Sequence, residues 1–307
     1  MKVKAVIVWC FAMILLIAGG IFFKMNDQKL KAAQTEIEEI ENQMAESAAI
    51  HNDQAEDIEE SNVQESESNM QKSDAPGNGS DVQENDSEEQ VPAIGKKIAL
   101  DPGHQSENID ISGLEPMGPG SDEMKAKAST GTAGTTTGKP EYELNLEISL
   151  KLRRELQARG YEVIMTREDN DTAISNKERA ELAAQEGADV FVRIHANSSE
   201  DLSVQGAMTM VPSEENPYVG ALSAESSRLG QCIIDSYCEA TGMLNNGVNY
   251  YDNMSGINWS EIPVTIIEMG FMSNEEDDIN MTEKQYQISM VRGIADGIDD
   301  FFRNVSE

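Results

Sequence analysis

The chain has 307 residues, with 23 Lys and Arg against 56 Asp and Glu, a formal net charge of -33 and a pI near 4.3. Neutralising phosphates takes clustered Lys and Arg, so this balance excludes a nucleic-acid partner. Three cysteines with no C-x-x-C pair also exclude a zinc-finger framework.

The chain opens on an uninterrupted apolar run, Ala5 to Phe23, flanked by Lys2, Lys4 and Lys24. It exceeds a signal-peptide core of about 7–15 residues and approaches the roughly 20 needed to span a bilayer. Residues 1–24 therefore read as an uncleaved signal-anchor. The competing reading is a cleaved signal peptide, for which Ala18-Gly19-Gly20 offers small residues but no A-x-A boundary. The flanking lysines leave the positive-inside rule undecided.

Residues 25–93 form an acidic, low-complexity linker. Between Asn26 and Pro92 there are nineteen Asp and Glu, three Lys and no aromatic residue. Such a segment buries too little apolar surface to offset its ordering entropy. Leu30, Ala33, Ile37, Ile40 and Met44 keep a helical spacing for about two heptads, which reads as a helix or short coiled coil continuing from the apolar run, a solvated single helix being the better reading because the pattern then fades. His51 belongs to this tract and reads as a solvated side chain.

Residues 94–307 alternate strand and helix. Strands are expected at 97–101, 161–166, 189–196, 206–211, 247–251 and 263–269, several of them continuous apolar runs of the kind found in sheets covered on both faces. Pro140 suits the first helical position of a helix running to about Arg159, with Leu144, Ile148, Leu152 and Leu156 as its inward stripe. Ser175 to Glu178 and Thr282 to Gln285 both read as capping boxes. Cys232 and Cys238 fall six apart in a helical stretch, off a common face, and read as buried free thiols. The last helix turns Val291, Ile294, Ala295, Ile298 and Phe301 or Phe302 inward. The fold class is a single α/β domain with a mostly parallel or mixed central sheet and helices on both faces.

Histidine points to the chemistry. Besides His51, the chain holds only His104, at the end of the first strand, and His195, at the end of the third. In a doubly wound sheet with these strands adjacent, both ends flank the crevice where ligands bind. Glu141 precedes Ile148 by seven residues and shares its sheet-facing side, whereas Glu143 points roughly 140° away. His104, Glu141 and His195 then make a His2Glu set, the catalytic type of zinc site. Glu268 interrupts the strand Val264-Thr265-Ile266-Ile267-Glu268-Met269, where an unpaired carboxylate is costly. It reads either as a general base or as a structural partner of Arg193, and the two are compatible.

Four ordered stretches, Leu100-Asp101-Pro102-Gly103-His104, Glu141-Tyr142-Glu143-Leu144-Asn145-Leu146, Ile194-His195-Ala196-Asn197-Ser198 and Pro263 to Asn274, resemble the signatures of zinc-dependent N-acetylmuramoyl-L-alanine amidases of the type-3 family. The resemblance runs from about Lys96 to Phe302. It implies hydrolysis of the amide between N-acetylmuramic acid and L-alanine in peptidoglycan, with Zn2+ on His104, Glu141 and His195 and with Glu268 as catalytic acid/base. It also implies an N-terminus inside the cell, a single membrane pass and a catalytic domain facing the wall. It names no protein activator. Two departures stand out: Gln105-Ser106 replaces the usual glycines, and the long stretch Ser106 to Lys139 separates the first two ligands, either as a lid or groove loop or as a mobile surface loop. Arg193, where the family often has a small residue, reads as support for the ligands or as a contact for a stem-peptide carboxylate. The alternatives are a catalytically inactive wall-binding or activator protein of this fold, and a zinc hydrolase acting on another amide.

Overall fold

The computed structural model describes residues 95–303. The signal-anchor, the linker with its helical spacing, Cys10 and His51 lie outside the described residues. Among the described residues, no helix is long and apolar enough to cross a membrane.

Among the described residues there are eight strands: β1 (Lys97–Pro102), β2 (Leu114–Pro116), β3 (Met124–Ala126), β4 (Glu162–Met165), β5 (Val190–Asn197), β6 (Ala207–Val211), β7 (Asn245–Tyr250) and β8 (Val264–Phe271). Six of them form one sheet in the order β4-β1-β5-β8-β6-β7. β1 pairs in parallel with β4 and β5, and β5 with β8, whereas β6 runs antiparallel to β8 and parallel to β7. The sheet is thus mixed, and the first and third of its strands along the chain are neighbours, as expected.

The helices are α1 (Glu141–Ala158), α2 (Asn176–Gln185), α3 (Ser223–Thr241), α4 (Ser255–Asn258), α5 (Glu275–Thr282) and α6 (Lys284–Arg303). Side chains alternate along a strand, so each apolar run feeds two cores. Ile98 and Leu100 of β1, with Val190, Val192 and Ile194 of β5, pack against Leu144, Ile148, Leu152 and Leu156 of α1 in a core that also takes Ile233 of α3 and Ile294, Ile298 and Phe301 of α6. Ala99, Phe191, Val264 and Ile266 face the other way, onto Ala180 and Ala183 of α2 and Ile257 of α4. Continuous hydrophobicity in these strands is the consequence of that double cover.

Four details differ from the sequence reading. Pro140 is the N-cap of α1, with φ -65° and an extended ψ of 140°, so the helix begins one residue later. Thr282 starts no capping box: it is the last residue of α5, and its hydroxyl donates to the carbonyls of Asp278 and Ile279. The helix α5 itself is an addition, capped by the Asn274 side chain, which accepts from Glu276 and Asp277. The stretch from Ser106 to Lys139, read as a lid, groove or mobile surface loop, carries the β2–β3 ribbon. Its β2–β3 ribbon is fastened where buried Glu115 accepts from Lys177 N and, at 2.5 Å, from Ser255 Oγ, while Trp259 Nε1 donates to Pro116 O. Cys232 and Cys238 are free, as expected, but half-buried rather than buried.

The box at Ser175 does form, with reciprocal bonds between Ser175 and Glu178. Ser175→Ala removes an acceptor that α2 needs and is expected to cost about 1 kcal/mol in urea unfolding. Thr282→Ala, which removes no cap, is expected to change stability by no more than about 0.5 kcal/mol. Equal losses would contradict the cap assignment.

Candidate metal centre

The site grows from the end of β1. Asp101 is fully buried, and its carboxylate accepts from Arg179 Nη1 at 2.5 Å, from Arg193 Nε at 2.7 Å and from the Thr166 hydroxyl. Burial opposes its ionisation, but the two guanidiniums and the hydroxyl hold it far below the usual carboxylate range. Arg179 also donates to Pro102 O and His104 O, and Arg167 donates to Pro102 O, Gly103 O and Tyr142 O. Gripped from both sides, the chain turns so sharply that His104 sits in the left-handed region at φ 63°, where it is the sole non-glycine residue among the described ones. Such strain persists only when the surroundings impose it, and it gathers at functional sites.

His195 arrives on β5, directly opposite Glu268 of β8 in register. Its ring lies flat against Gly103: a Cβ there would fall 2.1–2.6 Å from three ring atoms, so position 103 admits only glycine. Glu141 opens α1 and is buried. Its Oε1 is 3.1 Å from His104 Nε2, 3.2 Å from His195 Nδ1 and 3.2 Å from Ala196 N, while Oε2 accepts from Thr132 N at 2.9 Å. The two imidazoles meet edge to face, with centroids 4.8 Å apart.

His104, Glu141 and His195 each offer a ligand atom, all within 4.8 Å of one another. The 3.1 Å from the Glu141 oxygen to His104 Nε2 approaches the roughly 3.3 Å edge of a tetrahedron around zinc with bonds near 2.0–2.1 Å. His195 Nε2 is buried without a partner. The donor set and this orphaned nitrogen fit a metal ion. Burial, with the charge of His104 second to it among the causes that disfavour protonation, pulls the His195 pKa down to about 4, so its ring is neutral and able to ligate at neutral pH. Burial works against ionisation of Glu141, yet its contacts with the two histidines keep it well below the carboxylate norm.

Glu268 is buried, and its Oε2 has no partner. Burial first, then the charge of Glu141, push its pKa up to about 8, with Arg193 pulling the other way. Its pairing with Arg193 is not made: Arg193 spends Nε on Asp101 and Nη2 on Asn176, and at 3% exposure it does not face a substrate either. Glu143 is turned outward, 3.7 Å from Lys139 Nζ. Three contributors had no sequence signal: Ser129, whose Oγ is 2.8 Å from His104 Nδ1, and Gly131 and Thr132, which wall Glu141 from within a Gly/Thr-rich stretch. Asn145, one turn after Glu141, donates to it and to Gly103 O.

Fold and site together define an α/β domain with a candidate His2Glu metal centre at the carboxyl ends of parallel strands. The family model described as N-acetylmuramoyl-L-alanine amidase matches residues 98–300, and the chain belongs to that family. The chain is 27% identical over 215 residues to the N-acetylmuramoyl-L-alanine amidase LytC of Bacillus subtilis (strain 168), a match covering 69% of this chain but only 36% of LytC. Its fold resembles the crystal structure of the N-acetylmuramyl-L-alanine amidase Ami1 from Mycobacterium smegmatis, with TM-score 0.63 and 24% identity over 70% of this chain and 100% of that one. The apo form of Ami1 from Mycobacterium abscessus follows at TM-score 0.61 and 26% identity, covering 68% and 99%.

Glu141→Ala is expected to weaken zinc binding by more than the roughly 10–100-fold typical of losing an outer partner, while Glu143→Ala leaves it unchanged. Competition with a chromogenic chelator measures both. A larger effect at Glu143 would overturn the ligand choice.

Proposed function

We propose that this protein is a zinc-dependent N-acetylmuramoyl-L-alanine amidase, hydrolysing the amide between N-acetylmuramic acid and L-alanine of peptidoglycan. The observation that carries the reading is the convergence of two imidazoles on one oxygen of the buried Glu141 carboxylate, at the carboxyl ends of β1 and β5 and within the residues 98–300 that the family model matches. The family and the names of its relatives support the substrate.

His104, Glu141 and His195 would hold the ion. When bound, zinc supplies Lewis acidity toward a water and toward the scissile carbonyl. The rest falls to Glu268. Its unpartnered Oε2, opposite His195 in register, takes a proton from the attacking water as the new carbon–oxygen bond forms. The same oxygen returns that proton to the leaving L-alanine nitrogen as the carbon–nitrogen bond breaks. No nucleophilic side chain is needed. An inactive wall-binding protein is the weaker reading, since all four residues are present and three of them converge.

The apolar run 5–23 and the acidic spacer 25–93 support a single-pass anchor, release after signal cleavage being the alternative, and a substrate in the wall would put the N-terminus inside and the catalytic domain outside.

Glu268→Gln keeps the side chain's size and removes its capacity to accept a proton. Release of free peptide from purified peptidoglycan, followed by mass spectrometry, is expected to fall by at least roughly 10²-fold with zinc still bound. An active variant with zinc bound would return Glu268 to a structural role, and a folded variant without zinc would make it a ligand.

A further inference from the structure

The segment after β3 is pinned at three places around the metal centre. At its start, Lys127 O accepts from Asn176 N and Nδ2. In the middle, Thr132 and Glu141 exchange backbone and side-chain bonds: Glu141 N donates to Thr132 O, and Thr132 N donates to Glu141 Oε2. At its end, the fully buried Asp278 of α5 accepts from Thr136 N, Thr137 N and Thr137 Oγ1 at 2.7–2.9 Å. Gly131, at φ +73°, lies so close that a Cβ would sit 2.3 Å from Glu141 Oε2. This strap carries Ser129 to the outer nitrogen of His104, with Oγ at 2.8 Å and the Ser129 carbonyl oxygen at 3.3 Å.

The two nitrogens of the imidazole are therefore placed unequally. Nε2 points at the Glu141 oxygen, and Nδ1 points at Ser129. An ion held at Nε2 takes that nitrogen's lone pair, so the single proton of a neutral ligating imidazole sits on Nδ1, where the Ser129 hydroxyl and carbonyl oxygens stand to accept it. We propose that Ser129 is a positioning residue that accepts the Nδ1 proton of His104 and thereby turns the Nε2 lone pair toward the ion-binding position. The inference rests on the metal-centre reading. It gives the stretch between the first two ligands a role, which is to close the ring's outer side with a hydroxyl held in place from α2 and α5.

The test uses the full chain and four proteins: wild type, Ser129→Ala, and the near-isosteric pair Ser129→Thr and Ser129→Val. Zinc affinity is measured by chelator competition, and apo-state melting by circular dichroism. Nitrogen-15 spectra of ring-labelled histidine report the tautomer. Ser129→Ala and Ser129→Val are expected to bind zinc roughly 10-fold or more weakly, the lower range for losing a ligand's outer partner, with apo melting unchanged. Ser129→Thr, which restores the hydroxyl, is expected to bind close to wild type. The zinc-bound wild type is expected to show His104 protonated on Nδ1. Wild-type affinity in the Ala and Val variants, equal weakening in Thr and Val, melting that falls in step with affinity, or an Nε2 proton would each overturn the proposal. A wild type that binds no zinc would instead overturn the metal-centre reading beneath it.

Discussion

A single buried carboxylate organises this domain. Asp101 has no solvent exposure, and an ion so placed is tolerable only when its partners compensate for lost hydration. Arg179 from α2, Arg193 from β5 and Thr166 after β4 supply that compensation, so one side chain ties β1 to both strands that flank it and to the helix on one face. Removing one member of such a buried network typically costs about 3–5 kcal/mol, because the others are left charged and unpaired. The same guanidinium of Arg179 that satisfies Asp101 holds His104 O, so the ionic core and the strained turn at His104 are parts of one structure.

From that turn the remaining geometry follows. Parallel pairing of β1 with β5 puts the ends of both strands side by side, and the crossover through α1 returns the chain so that the first residue of the helix lies above them. Glu141 is thus carried by a helix N-terminus, where the macrodipole favours its negative charge. The antiparallel approach of β6 from the other side of β8 completes the cover around Glu268. Two carboxylates then share a small buried space with opposite outcomes: Glu141, contacted by both histidines, stays ionised, and Glu268, without a partner, is pushed up to about 8. Divergent environments of this kind suit one carboxylate to holding an ion and the other to holding a proton.

The sequence carried the six strands of the main sheet, their double cover and the helix register that separates Glu141 from Glu143, because hydrophobic period and helical geometry are local, but not the short β2–β3 ribbon. It did not carry the partner of Arg193. Facing strands offered Glu268 as a neighbour, but Asp101 lies closer along the same face and takes the guanidinium, a choice made by register between β1 and β5 rather than by either stretch alone. The capping box at Thr282 failed for a related reason, since α5 already occupies the residues before it and consumes the hydroxyl. The contribution of Ser129, Gly131 and Thr132 left no trace, as a Gly/Thr-rich stretch has no hydrophobic period and its anchors on Asp278 and Asn176 are remote in sequence.

The central claim is that the two histidines and Glu141 hold an ion in the frame set by Asp101. Anomalous diffraction at the zinc edge from crystals grown with zinc tests it most directly. The account predicts one strong peak about 2.0–2.2 Å from a ring nitrogen of His104, a ring nitrogen of His195 and a carboxylate oxygen of Glu141, with Glu268 outside bonding distance. A peak ligated by Glu268 in place of Glu141, or no peak between the two imidazoles, would contradict it.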